Sequence, residues 1–194
     1  MFTSDKSALV ERLRADLPMI LEENTKLATQ ISIDELAILA LMLQQAKRVF
    51  VIGAGRTGLM MRAIAMRFMH LGLNVHVVGE TTTPAIQEGD LLLAASGSGT
   101  TSAIVKAAEK AHSVSASVAV LSTTNKSPLA NVAQLVVIIP AAQKQDFHGA
   151  ISEQYAGSLF EQNVLFVGDA VFQTLWKFSN IPAEIMWKQH ANME

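Results

Sequence analysis

The spacing of hydrophobic positions changes near residue 47. Upstream of it, Leu9, Leu13, Leu17, Ile20, Leu21 and Leu27 recur at helical spacing. Pro18 falls inside that run and is expected to kink or break it, because proline lacks an N–H and its ring crowds the preceding turn. A second helix is expected from Ser32, with Glu35 three residues later in a capping-box pattern. It continues through Leu36, Leu39, Leu41 and Leu43. From Arg48 onward, short runs rich in Val, Leu and Ile fall at 48–52, 74–78, 90–95, 117–122 and 135–139. Most are apolar at consecutive positions, as strands covered on both faces are. Helical patterns lie between them at 57–71 (ended by Gly72), at 101–112 and, briefly, at 128–133. This alternation predicts a parallel sheet in an α/β sandwich. A polar loop spans 140–157, and a helix apolar nearly all round spans 158–179, which implies burial on several sides. Asn180 and Pro182 interrupt it, leaving a last short helix at 183–190. No repeat or linker divides the chain, so 1–194 reads as one domain: N-terminal helices over 1–47, the parallel core over 48–140 and C-terminal helices over 158–194.

Composition narrows the class of protein. In 194 residues, half are hydrophobic and only 16% are charged, less than a solvated monomer usually carries. The shortage points to additional buried surface, most simply between copies in a homo-oligomer. A net charge of −2 without a basic run argues against nucleic acid as a partner. The absence of cysteine rules out disulfides, thiolate metal sites and a cysteine nucleophile. No pair of the five histidines has metal-ligand spacing, so no metal is expected. The N-terminus lacks a signal-peptide core. The apolar stretch 159–178 contains Glu161, Asp169 and Lys177, unlike a membrane span. The expectation is a soluble, cytoplasmic protein with no membrane partner.

Candidate chemistry is concentrated in two glycine-rich turns, each placed where a strand hands over to a helix. Gly53-Ala54-Gly55-Arg56-Thr57-Gly58 follows the first strand, and Ser96-Gly97-Ser98-Gly99-Thr100-Thr101 follows the third. Exposed N–H groups, hydroxyls and a helix N-terminus at the carboxyl edge of a sheet are the means of holding a phosphate. The first turn also matches a dinucleotide fingerprint, with Glu80 placed after the next strand where a ribose ligand would sit. The second turn argues for a small phosphorylated molecule, because a dinucleotide needs only one such cradle. Its alternative is an ordinary helix cap. Arg56 fits either a ligand contact or a surface ion pair. Glu161, one turn into the long apolar helix, is either a stabiliser of the helix dipole or, if walled in by Phe and Leu, a usable base. His70, His76 and His112 lie within element patterns, His148 lies in the polar loop, and His190 lies at a normally solvated C-terminal position. The methionines at 60, 61, 66 and 69 are expected to pack in a core or an interface.

Several stretches together resemble the 6-phospho-3-hexuloisomerase family of sugar isomerase (SIS) domains. They are Gly-Ala-Gly-Arg-Thr-Gly-Leu-Met at 53–60, Ala-Met-Arg-Phe-Met-His-Leu-Gly at 65–72, Val-Gly-Glu-Thr at 78–81, Ser-Gly-Ser-Gly at 96–99, Gly-Ser-Leu-Phe-Glu-Gln at 157–162 and the closing His-Ala-Asn-Met-Glu. The resemblance implies a three-layer α/β/α sandwich with a five-stranded parallel sheet, flavodoxin-like or Rossmann-like in kind, with added N-terminal helices. It implies interconversion of D-arabino-hex-3-ulose 6-phosphate and D-fructose 6-phosphate through an enediol, as in formaldehyde fixation by the ribulose monophosphate pathway, without a cofactor. It also implies a homotetramer with sites at subunit boundaries. Matched residue by residue, Ser96, Ser98 and Thr101 form the phosphate turn and Gly55 and Arg56 the first turn. Glu161 is the base, and His190 enters a neighbouring subunit's site. Two features depart from the family pattern. Thr100, kept here among the binding residues, stands where Glu is usual, and 152–156 replaces a segment that often reads Gln-Pro-Met. A sugar-phosphate sensor and an isomerase of another phosphosugar are the alternatives within the same fold.

Overall fold

The computed structural model describes residues 3–144 and 151–193; His148 and the rest of 145–150, within the expected 140–157 loop, lie outside them. Five parallel strands, β1 (Val49–Gly53), β2 (Val75–Val77), β3 (Leu91–Ala95), β4 (Ser117–Ser122) and β5 (Leu135–Ile138), form one sheet in the order β2-β1-β3-β4-β5. Each of the five expected strands is present. Their side chains alternate between two cores, as a pleated strand requires. Val49, Val51, Leu91, Leu93, Ala119 and Leu121 face one core, whereas Phe50, Leu92, Ala94, Val118 and Val120 face the other. Both faces being covered accounts for the consecutive apolar residues in the sequence.

The helices are α1 (Lys6–Ala28), α2 (Ile33–Gln45), α3 (Gly55–His70), α4 (Ser102–Ser113), α5 (Ser158–Ser179) and α6 (Ala183–Trp187). A single 3₁₀ turn at Ala130–Val132 stands where a short helix was expected. α5 lies at the centre of the first layer and packs on α1, α2 and α3; α4 covers the opposite face of β3 and β4. This multiple contact buries the first half of α5 on several sides, whereas Phe166 and Phe178 are exposed, so the expected all-round burial does not extend along the whole helix.

Three expectations about helices need correction. Pro18 does not break α1, which runs through it. The Leu17 side of the helix there is open to solvent, so water can satisfy a carbonyl left without its N–H partner. α3 begins at Gly55 rather than Thr57, which puts two glycines of the first turn inside the helix. The last helix ends at Trp187, leaving His190 in the turn beyond it. The capping box at Ser32 is half realised. Ser32 accepts the Glu35 N–H at 3.2 Å, while the Glu35 carboxylate accepts from the Ile138 N–H and ties α2 to β5.

Candidate active site

Strand order places the site. β1 leads outward to β2, and the chain then returns to place β3 on the other side of β1. At such a switch point the loops leaving the two strands diverge and open a crevice at the carboxyl edge. The two glycine-rich turns leave β1 and β3, and a cleft of about 520 Å³ opens there. It is lined by Ser96, Ser98, Thr100, Thr101, Lys126 and Lys144, among others.

The second turn is shaped by contacts beneath it. The Gly97 carbonyl accepts from the Ser122 hydroxyl at 3.1 Å, and from both the N–H and the hydroxyl of Thr123 at 3.1 and 2.8 Å. Gly99 has φ +63°, and a Cβ there would stand 2.1 Å from the Ser127 hydroxyl, so only glycine fits. The hydroxyls are paired with one another, Ser96 with Thr101 at 3.2 Å and Ser98 with Thr100 at 2.9 Å. Thr101 is the N-cap of α4, yet its side chain makes no capping hydrogen bond. The ordinary-cap reading of this turn therefore fails. The N-terminal end of α4 faces the cleft uncapped, and the partial positive charge of such an end favours an anion.

The first turn contributes a different group. Arg56, in the first turn of α3, donates to Glu161 in the first turn of α5 at 3.0 Å. Lys144 Nζ lies 3.7 Å from the other oxygen of the same carboxylate. Glu161 is 4% exposed, and the neighbouring Phe160 packs about 3.5 Å from where a Gly97 side chain would begin. The helix that carries the carboxylate is thus seated on the hydroxyl turn. Arg56 thus pairs with a buried carboxylate rather than a surface one, and Glu161 is buried at a first-turn position with two cations facing it. Glu80, the expected ribose ligand of the dinucleotide reading, pairs with Arg62 on α3.

His190 is elsewhere. Its ring stacks on His70 at 4.1 Å and lies 4.4 Å from the Trp187 ring. His70 closes α3 at the end opposite Arg56. A 16-residue helix is about 24 Å long, so His190 does not meet Glu161 within one chain. Burial first, then the nearby His190 and Arg67, hold the His70 imidazole below its ordinary range. His76 packs on Phe50, and the methionines divide, with Met61 buried and Met66 and Met69 exposed.

Reading the sequence missed Lys126 and Lys144. Lys126 follows β4, whose carboxyl end faces the same crevice, so the edge rule could have pointed to it. Lys144 sits in an irregular stretch with no local signature. Also missed was a row of polar side chains behind α5. Gln154 donates to Glu23, Gln162 to Gln154, Asn24 to Gln162 and Asn163 to Asn24, at 2.7–2.9 Å. Glu23 further accepts from the Ser152 hydroxyl and the Glu153 N–H. Burial alone would push the Glu23 carboxyl up, but these hydrogen bonds and Lys26 hold it below its ordinary range. Among the described residues, no group of three or more His, Asp or Glu side chains is placed to hold a metal ion. No single described helix is long and apolar enough to cross a membrane.

Residues 42–167 match the SIS domain. A 3-hexulose-6-phosphate isomerase of Mycobacterium gastri is 54% identical over 179 residues, covering 92% of this chain and 90% of the relative. The enzyme of that name from Bacillus subtilis is 40% identical over 176 residues, covering 90% and 95%. A Methanococcus jannaschii protein, whose crystal structure was taken to imply 3-hexulose-6-phosphate isomerase function, superposes with a TM-score of 0.81 at 27% identity, covering 93% and 99%.

Proposed function

This chain belongs to the SIS domain family, and we infer that it is an intramolecular oxidoreductase interconverting D-arabino-hex-3-ulose 6-phosphate and D-fructose 6-phosphate. The observation that carries the mechanism is a buried carboxylate, Glu161, facing Lys144, which lines the cleft of hydroxyls at the N-terminus of α4. Such a pair suits a substrate with an anion at one end and an exchangeable C–H at the other.

In this reading Ser96, Ser98, Thr100 and Thr101 and the free N–H groups of α4 hold the phosphate. Holding it fixes the open-chain sugar against the base, which removes much of the entropic barrier. Gly55 and Arg56 border the sugar from the first turn. Starting from the 3-ketose, Glu161 takes the proton from C2. The C–H electron pair forms the C2–C3 double bond, and the C3 carbonyl oxygen becomes an enediolate oxygen. Transfer of the hydroxyl proton between O2 and O3 follows. The carbon proton is then returned to C3 and the carbonyl reforms at C2. The carbon skeleton gains and loses no electrons, so the balance needs no redox partner.

His190 is assigned to the oxygen-bound protons, supplied by a neighbouring subunit. Its distance from Glu161 within one chain supports this, as does an apolar stripe on α1. Leu9, Leu13, Leu17 and Leu21, spaced by four, are each 48–65% exposed, and leucines so placed favour burial against a second copy. The assembly is taken to be a homotetramer with sites at subunit boundaries. The place of action is taken to be the cytoplasm, where charged sugar phosphates are retained, and the pathway to be ribulose monophosphate formaldehyde fixation.

The test uses fructose 6-phosphate in deuterated water, followed by NMR. The expected result is replacement of the C3 hydrogen by deuterium. In Glu161→Gln, kcat and exchange should both fall by about 10²–10⁴ with little change in KM. Exchange at C1 instead would show aldose–ketose chemistry. No exchange together with no isomerisation would favour a binding protein. Normal turnover by Glu161→Gln would remove it from the role of base.

A further inference from the structure

We propose that Lys144 is a catalytic cation of this reaction, which passes from Glu161 to the enediolate oxygen as the carbon proton moves. The inference rests on the isomerase reading above and adds a residue to it.

The geometry starts from the two oxygens of the Glu161 carboxylate. One accepts a hydrogen bond from Arg56 at 3.0 Å; the other faces Lys144 Nζ at 3.7 Å. The first contact is a formed, charge-assisted hydrogen bond, and the second is too long to be one. The Lys144 side chain is 64% exposed and lines the cleft shared by Ser98 and Thr101. It therefore borders the cleft that the sugar would occupy while its ammonium faces the carboxylate, which does not itself line that cleft. Its stem crosses Gly157, the N-cap of α5, whose φ is +79°. A Cβ at that position would stand 3.0 Å from Lys144 Cγ and 3.2 Å from Cε. A bare glycine there leaves the path by which the lysine reaches the first turn of α5.

Charge balance then gives the lysine its task. Before proton transfer, the carboxylate is the anion nearest the ammonium. When Glu161 takes the proton from carbon, it becomes neutral, and one negative charge appears on the substrate oxygen. The attraction holding Lys144 to Glu161 across 3.7 Å disappears as an attraction to that oxygen arises, and the second is the stronger because the exposed ammonium can close to hydrogen-bond distance on the oxygen. The ammonium faces one anion throughout, and only its partner changes. A group that binds the transition state more strongly than the ground state raises kcat rather than lowering KM. Arg56 is less suited to this, because its shorter bond fixes it on the carboxylate.

The experiment measures Lys144→Met, Lys144→Arg and Lys144→Ala in steady-state isomerisation, with added ethylammonium for the alanine variant. Lys144→Met should lose about 10²-fold in kcat with KM held within about threefold. Lys144→Arg should recover part of that loss, and ethylammonium should raise the rate of Lys144→Ala but not of Glu161→Gln. A Lys144→Met enzyme with normal kcat and a raised KM would make the lysine a ground-state anchor and overturn the proposal. Failure of amine rescue in a folded Lys144→Ala would do the same. A wild-type protein that neither isomerises nor exchanges would instead remove the isomerase reading itself, and this proposal with it.

Discussion

Arg48 and Asp90 meet immediately before β1 and β3, at the sheet edge opposite the cleft. Asp90 is 2% exposed and accepts from Arg48 Nε at 3.0 Å, from Arg48 Nη2 at 2.6 Å and from the Gln87 N–H at 2.7 Å. Burial alone would push its carboxyl up, but these hydrogen bonds and the charges of Arg48 and Lys47 hold it below its ordinary value of 3.8. A carboxyl held low in the folded state stabilises above its unfolded pKa and loses that contribution as pH falls through the folded value. Asp90→Asn should therefore destabilise the fold near neutrality, since it removes the charge that Arg48 and the Gln87 N–H hold at the start of β3. The difference in urea midpoint from wild type should shrink as pH is lowered below about 4. A constant difference would mean that Asp90 acts by packing alone. Single residues differ in how far the sequence discloses them. Glu161 is visible because a carboxylate interrupts an apolar helix. The meaning of Arg56 is not, because its partner is 105 positions away. Nor is Lys144, because nothing local distinguishes it from any solvated lysine.

Among elements, the strands are the most legible, since coverage on both faces leaves a continuous apolar run that no solvated segment shares. Helix ends are less so. The start of α3 at Gly55 and the passage of α1 through Pro18 are decided by neighbours and solvent rather than by local preference. The turn between β3 and α4 shows the same dependence. Its two glycines are plain in the sequence, but the reason for the second is Ser127, which lies beneath it. Gly99→Ala would place a methyl group within 2.1 Å of the Ser127 hydroxyl on a backbone that disfavours it. The turn should shift, KM for the sugar phosphate should rise by at least about tenfold, and melting should fall by a few degrees. Restoring the space with a second change, Ser127→Gly, should recover part of the melting temperature. An unchanged KM in Gly99→Ala would argue that the phosphate is held elsewhere.

For the molecule as a whole, low charge content pointed to association, and the exposed leucines of α1 supply a surface for it. Which copy meets which face is not written in one chain, because an interface is a property of two surfaces. Leu13→Glu combined with Leu17→Glu should leave the sheet intact, since both side chains are outside its cores. It should lower the mass seen by light scattering after gel filtration and, with His190 supplied by a second copy as proposed, reduce kcat in step. Full activity in a monomer would show that each site is self-sufficient. A longer-range coupling lies inside the subunit. The side-chain amides of Asn163, Asn24, Gln162 and Gln154 all give in the same sense, ending on Glu23. Turning Asn24, Gln162 or Gln154 about would set oxygen against oxygen on one side and nitrogen against nitrogen on the other. The row therefore has a polarity that is kept or lost as a unit, and it ties the acidic terminus on α1, partner by partner, to the helix that carries Glu161.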